Sequence, residues 1–448
     1  MVARRRLAVR IVAGLAGLLV VAAAGGYWYE RPLLLTGTGY AAHNACAVQL
    51  VAGRADPATD LPPNPLVPYL RGGVDDARHS ARATVLGALA GQTAWYTPGF
   101  GCTLGGRAPA FGAAAAVSAA ADPFANAVVP AADPTVTAAL AKAFGDDLSA
   151  ADKQALGTRA VVVVHAGHLV AERYAPGFTV ATPQLGWSMS KSVANLVAGR
   201  LVQQGRIAVT DSHLRPEWTD GRADITIDNL MRMTSGLAWD ETYSLGTPIT
   251  AMLYLQPDMA AFVAAQPLAH PVGSYQQYSS GSTNLLCSVL AGRSGAGPAL
   301  PRQQIFAPLG LSSAVWEPDA TGTPVCSSYL WATPRDWAAI GQFALQGGRW
   351  GDAQLLPPDW MKRSTTVTDV KGEETGYAAG WWVNRLADGS SADPTLPADA
   401  YWADGHDGQR MYVVPSADLV VVRLGFTPTE VDLRTGALVA DLVTATKG

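Results

Sequence analysis

Seven residues, Arg159-Ala160-Val161-Val162-Val163-Val164-His165, set the tightest limit on the fold. A valine-rich run this apolar suits a strand in the middle of a sheet, covered on both faces. Ala166-Gly167 follows as a tight turn, and His168-Leu169-Val170-Ala171-Glu172-Arg173-Tyr174 completes a hairpin. Strand-like stretches return only near the far end, at Gly380 to Val383, Tyr401 to Ala403, Met411 to Val414 and Leu419 to Leu424. The middle, to roughly Arg363, is mostly helical by periodicity, with a short strand-like element over 207–211 and a helix over 225–237. A last helix is predicted over 433–445. This order predicts an α+β domain: one sheet assembled from both ends of the chain, with a helical subdomain set against it. A cleft between the two is the expected place for a site.

That domain opens at Asp133-Pro134, a helix cap followed by proline at the first helical position, and the helix runs to about Phe144. Three units are expected: residues 1–30 as a signal or anchor segment, 31–132 as an accessory segment with an alanine- and proline-rich linker, and 133–448 as the main domain. The first unit carries Arg4, Arg5, Arg6 and Arg10 ahead of an uncharged apolar run from Ile11 to Tyr29, long enough to cross a bilayer as a helix. Positive charge stays on the cytoplasmic side, so the rest of the chain is expected to be exported. Ala22-Ala23-Ala24 would suit a signal peptidase and release the protein, whereas Tyr27, Trp28 and Tyr29 would suit the interfacial belt of an uncleaved anchor. The length of the run favours the anchor.

Export bears on the four cysteines. Cys46 and Cys102 are expected to pair in an oxidising compartment, since both lie in a glycine-rich region with few core residues of its own. Cys287, inside the apolar run Leu285 to Leu290, reads as a buried free thiol. No pair has zinc-finger spacing, and His165 and His168 merely flank a turn, so no metal site is expected. A net charge of −4, with no basic run beyond the first ten residues, argues against nucleic acid as the partner.

The chemistry begins at Gly186-Trp187-Ser188-Met189-Ser190-Lys191-Ser192, at the front of a helix predicted to run to about Gln204 and stop at Gly205. Met189, Val193, Leu196, Val197 and Leu201 form its apolar stripe. Ser188 and Lys191 lie one turn apart on one face. A serine needs a base within hydrogen-bond reach before it attacks a carbonyl, and a lysine kept partly neutral is such a base. Two further stretches accompany it: Tyr278-Ser279-Ser280, ahead of a helix over 283–290, and Gly405-His406-Asp407-Gly408-Gln409, entering the strand at Met411. There is no Gly-x-Ser-x-Gly elbow for an α/β-hydrolase and no His-Glu-x-x-His for a metallohydrolase.

In order and spacing these three stretches resemble the signature motifs of the serine β-lactamase and penicillin-binding superfamily, over roughly residues 133–448. The resemblance looks closest to the branch of class C β-lactamases, esterases of that fold, D-amino-acid peptidases and 6-aminohexanoate-dimer hydrolases. Asn229 to Leu237 and Gly376 to Trp382 resemble further segments of that branch. The resemblance implies an antiparallel sheet flanked by helices, no cofactor, and an acyl-enzyme on Ser188 formed from an ester or amide of a small molecule or short peptide. By it, Lys191 takes the Ser188 proton, and Tyr278 is a second base that later activates water. The oxyanion hole would be the backbone N–H groups of Ser188 and Gln409.

Departures from the family pattern bear on substrate. The third motif of class C β-lactamases is usually Lys-Thr-Gly, and here it is the less cationic His406-Asp407-Gly408. That disfavours a dedicated β-lactamase or cell-wall peptidase, which stands as the alternative reading beside a non-catalytic binding module. On an extended strand His406, Gly408 and Arg410 would point the same way, so Arg410 is expected to restore part of the lost positive charge. The loop after Leu237, with Trp239, Asp240, Glu241 and Tyr243, is expected to border the pocket and offer an acidic wall to a substrate amine.

Overall fold

The computed structural model describes residues 2–62, 64–131 and 133–446. Its first element is the helix α1 (Val2–Cys46), whose early part has a mean hydropathy of 1.9, is nowhere buried, and is long and apolar enough to cross a membrane. The helix does not end where the apolar run ends. It continues past residue 30, and Thr36, Thr38, Ala41, Ala42, His43 and Asn44 are buried. The buried end lies against a four-stranded antiparallel sheet of β1 (Leu70–Asp75), β2 (Ser80–Val85), β3 (Leu89–Thr97) and β4 (Gly101–Leu104). The core between them is built largely of small residues, among them Ala42, Ala81 and Ala94, and a Cys46–Cys102 disulfide ties the helix end to β4. Small side chains bury little area, so a cross-link is what such a unit needs. The accessory segment is therefore folded as far as Leu104 around this sheet and disulfide.

The strands that follow are β5 (Thr158–His165), β6 (His168–Tyr174), β7 (Gln184–Leu185), β8 (Val315–Trp316), β9 (Leu330–Ala332), β10 (Arg349–Trp350), β11 (Ala353–Gln354), β12 (Trp382–Val383), β13 (Tyr401–Gly405), β14 (Gln409–Val414) and β15 (Leu419–Gly425). Six form an antiparallel sheet in the order β12-β13-β14-β15-β5-β6, so both ends of the chain do build one sheet. Its two faces explain the valine run. Val162 and Val164 enter one core while Val161 and Val163 enter the other. Ala166 and Gly167 both have positive φ, 49° and 74°, which a two-residue hairpin turn requires.

One face is covered by α2 (Pro134–Ala143) and the last helix, Thr435–Ala445; between α2 and β5 lies α3 (Ala150–Leu156). The other face carries the helical subdomain: α4 (Met189–Gln203), α5 (Ile227–Met231), α6 (Pro248–Leu255), α7 (Met259–Ala264), α8 (Ser280–Ser294), α9 (Ala307–Leu309), α10 (Pro334–Leu345) and α11 (Trp360–Ser364). Asp133 caps α2 as its sequence suggests, accepting from the Thr135 N–H at 2.7 Å.

Three expectations are corrected. Residues 207–211 form turns and no strand. The helix expected over 225–237 shrinks to α5, opened by a Thr226–Asn229 capping box and followed by Met233 at φ 60°. Cys287 is not a free thiol, because it is bonded to Cys326. Cys287 lies on α8 and Cys326 just before β9, and only the fold of the chain across this sequence separation of 39 brings the two together.

Candidate active site

Ser188 stands at the N-cap of α4, partly exposed, at the end of a tight approach. Gly186 has no room for a side chain, since a Cβ there would lie 2.2 Å from the Trp337 ring. Trp187 is held at φ 47°, a left-handed conformation that costs a non-glycine residue about 1 kcal/mol or more. The rings of Tyr40, Tyr243, Tyr329 and His406 surround its indole and hold it there. Among the described residues the Ser188 N–H donates to no protein acceptor. Ser190 and Ser192 are buried and donate to the carbonyls of Ser328 and Gly380.

The Lys191 Nζ is 2.9 Å from the Ser188 Oγ, 2.9 Å from the Ser280 Oγ and 3.2 Å from the Ser327 carbonyl oxygen. Burial strips its ammonium of water and lowers its pKa to about 8, against the opposing pull of Glu241 and Asp404. Lys191 Nζ also sits over the Tyr278 ring, 4.7 Å from its centroid, and that ring stacks on Trp382 and meets Tyr377 edge-on. Burial, Tyr377 and Glu241 push the Tyr278 pKa well above its ordinary value, with the Ser188 hydroxyl pulling the other way. A phenol in that setting stays protonated at neutral pH. Burial therefore works against the tyrosinate that a second base would require.

The third stretch differs most from its prediction. His406–Gly408 is a hairpin turn between β13 and β14, with Asp407 at φ 57° and Gly408 at φ 83°, so it does not present side chains as an extended strand would. His406 stacks flat on Tyr243, with ring centroids 4.7 Å apart. The Asp407 carboxyl is buried, its pKa raised by that burial. Gly408 faces the far side, where its carbonyl accepts from the buried Arg423 guanidinium at 2.7 Å. Arg410 is paired with its cross-strand neighbour Asp404 at 2.7 Å, and its charge is spent there rather than restoring positive charge to the site.

Gln409 is also reassigned. Its side chain is bonded to Gly425 on β15, and its residue pairs with Gly405 across the β13–β14 ladder. The Asn384 N–H donates to Ala400 O, so even-numbered residues of β13 turn their backbone groups toward β12 and odd-numbered ones toward β14. Gln409 therefore uses its N–H inside the sheet. The open edge belongs to Asp404, beyond the end of the two-residue β12. There β13 presses on the nucleophile turn so closely that a Cβ at Gly405 would lie 2.2 Å from the Gly186 carbonyl oxygen.

In the loop after Leu237, Asp240 is exposed and caps its own turn through the Thr242 N–H. Trp239 is buried against Gly281, and its indole donates to Glu241 at 2.6 Å. Glu241 is the acidic group that faces the site, bonded to both the hydroxyl and the N–H of Ser280. The sequence places Glu241 in an acidic wall for a substrate amine, whereas its carboxylate is taken up by Ser280 and Trp239; Ser280 stands in a marked stretch with no role of its own. A cavity of about 410 Å³ adjoins Trp187, lined mainly by apolar groups, with Tyr243, Tyr254 and His406 on one side and Thr36, Gly37 and Tyr40 of α1 on the other. Residues of the second unit expected from sequence thus line the cavity beside Trp187, the chain neighbour of Ser188.

A family model described as Beta-lactamase matches residues 135–444. A penicillin-binding protein homologue from Caulobacter crescentus is similar in structure, with a TM-score of 0.55, 20% identity, and coverage of 71% of this chain and 100% of that one. A family VIII carboxylesterase matches with a TM-score of 0.53 at 15% identity, over 70% of this chain and 98% of its own. A class C beta-lactamase matches with a TM-score of 0.53 at 16% identity, over 70% of this chain and 97% of its own. At these identities the structural matches speak for the fold alone.

Proposed function

The chain belongs to the beta-lactamase family, and from that premise we propose that it is an exported, membrane-anchored serine hydrolase cleaving an ester or amide through an acyl-enzyme on Ser188. The observation that carries this reading is the 2.9 Å pair of Ser188 Oγ and a buried Lys191 whose pKa is lowered to about 8. Neutral Lys191 takes the hydroxyl proton as the Ser188 oxygen bonds to the carbonyl carbon. The N–H groups of Ser188 and Asp404 receive the oxyanion, each contributing on the order of 3 kcal/mol of barrier lowering. Tyr278 gives its proton to the departing alcohol or amine and is reprotonated from Lys191. Water then attacks the acyl group, with neutral Lys191 again as base and Ser188 as the leaving group.

The cavity suggests the substrate class. It lies beside Trp187, next in the chain to Ser188; its lining is largely aromatic and aliphatic, its charged members are the acidic Asp407 and Glu430 with no lysine or arginine, and Arg410 is already paired. An apolar acyl or alcohol portion suits it better than a carboxylate-bearing peptide tail. Turnover of p-nitrophenyl acetate and butyrate, with Ser188→Ala as control, tests the assignment. Loss of turnover in Ser188→Ala is expected, and unchanged turnover would overturn it. A lasting penicillin adduct at Ser188 would move the assignment to the cell-wall alternative.

A further inference from the structure

We propose that Glu241 is a positioning residue that sets the direction of proton transfer at Lys191, acting through the hydroxyl of Ser280. This rests on Ser188 as nucleophile and Lys191 as its base. One carboxylate oxygen of Glu241 accepts the Ser280 N–H at 2.8 Å and the Trp239 indole N–H at 2.6 Å. Neither of those donors can reverse its role. The other oxygen accepts the Ser280 hydroxyl in a short hydrogen bond. A carboxylate can only accept, so the single proton of Ser280 is committed to Glu241 and its lone pairs are turned to Lys191 Nζ, 2.9 Å away.

The consequence falls on the lysine. Of the three groups around Lys191 Nζ, the Ser327 carbonyl can only accept, and Glu241 makes Ser280 an obligate acceptor as well. Ser188 alone has a proton free to give. When the ammonium loses one proton, its two remaining N–H bonds stay on Ser280 and Ser327, and the lone pair is left facing Ser188. Without the carboxylate, Ser280 would turn its own O–H onto that lone pair and occupy the base.

Glu241→Gln separates this role from a structural one. The glutamine carbonyl must stay on the two fixed donors, Trp239 and the Ser280 N–H. Its NH2 then takes the other position, donates to Ser280 Oγ, and drives the Ser280 proton toward Lys191. The readouts are the rate of Ser188 labelling by a fluorophosphonate and kcat/KM for p-nitrophenyl butyrate, with the full chain. Glu241→Gln is expected to fall about 100-fold, the scale of a lost general base, with the pH midpoint of the rate shifted downward. Removing the competing hydroxyl should undo part of this, so Glu241→Gln/Ser280→Ala is expected to run at least about tenfold faster than Glu241→Gln, a recovery within the same range of effect.

A structural defect would be deepened, not relieved, by the second substitution. A Glu241→Gln rate within about threefold of wild type, well short of a lost base, or a double variant no faster than the single one, would overturn the inference while leaving the hydrolase assignment in place. Wild-type protein that is never labelled at Ser188 would overturn both.

Discussion

Lys191 Nζ lies 2.9 Å from Ser188 Oγ, in a residue only 2% exposed. Because burial lowers its pKa to about 8, the base form gains with rising pH. The rate of ester cleavage is therefore expected to climb about tenfold per pH unit below 8 and to level off above it. Initial rates on p-nitrophenyl butyrate, corrected for background hydrolysis, give the profile. A rate independent of pH between 6 and 9 would exclude Lys191 as the base.

Tyr278→Phe keeps the ring that stacks on Trp382 and removes only the proton donor. Thermal stability should be unchanged while kcat for an alkyl ester falls about 100-fold. A p-nitrophenyl ester, whose leaving group needs no proton, should lose much less. Equal losses on the two substrates would remove Tyr278 from the leaving-group step.

Gly405→Ala places a methyl group where the Gly186 carbonyl oxygen already stands, 2.2 Å away. Backbone must move, at a cost of about 1–3 kcal/mol. The movement opens the gap between β13 and the nucleophile turn, so labelling of Ser188 should slow even in the folded fraction. Denaturant titration and fluorophosphonate labelling measure the two effects separately.

The Cys287–Cys326 bond fixes α8 to the segment that carries Ser327, whose carbonyl holds Lys191 and whose N–H donates to Asn284 on α8 at 2.9 Å. Replacing both cysteines with alanine should cost about 2–4 kcal/mol and reduce the acylation rate as well. Intact mass after alkylation without reductant should find no modified thiol.

Deleting residues 1–30 should leave the unfolding transition in place, since the apolar part of α1 touches little of the domain. Deleting through residue 66 removes Thr36, Gly37 and Tyr40 from the cavity wall and leaves Cys102 unpaired. The longer deletion should lower the thermal midpoint and raise KM for p-nitrophenyl butyrate.

What could be read along the chain was whatever depends on neighbours in sequence. The valine strand and its turn, the cap at Asp133 and the spacing of Ser188 to Lys191 are local patterns, and their elements appear where expected. The hairpin turn at His406–Gly408 is not legible locally, because His-Asp-Gly suits either a strand entry or a turn. Which one it became depended on β13 ending at Gly405, where close contact with Gly186 admits no side chain.

By itself, then, the sequence determined the family, the central hairpin and the late strands of the main sheet, and the helix face that pairs a serine with a lysine. Tertiary structure decided how that pair is tuned. Glu241, Ser280, Ser327 and Asp404 lie 50, 89, 136 and 213 residues from Lys191, and only the folded chain brings them around its amine. Proton direction, the free strand edge and the second disulfide all depend on such distant approaches, whose geometry no local periodicity records.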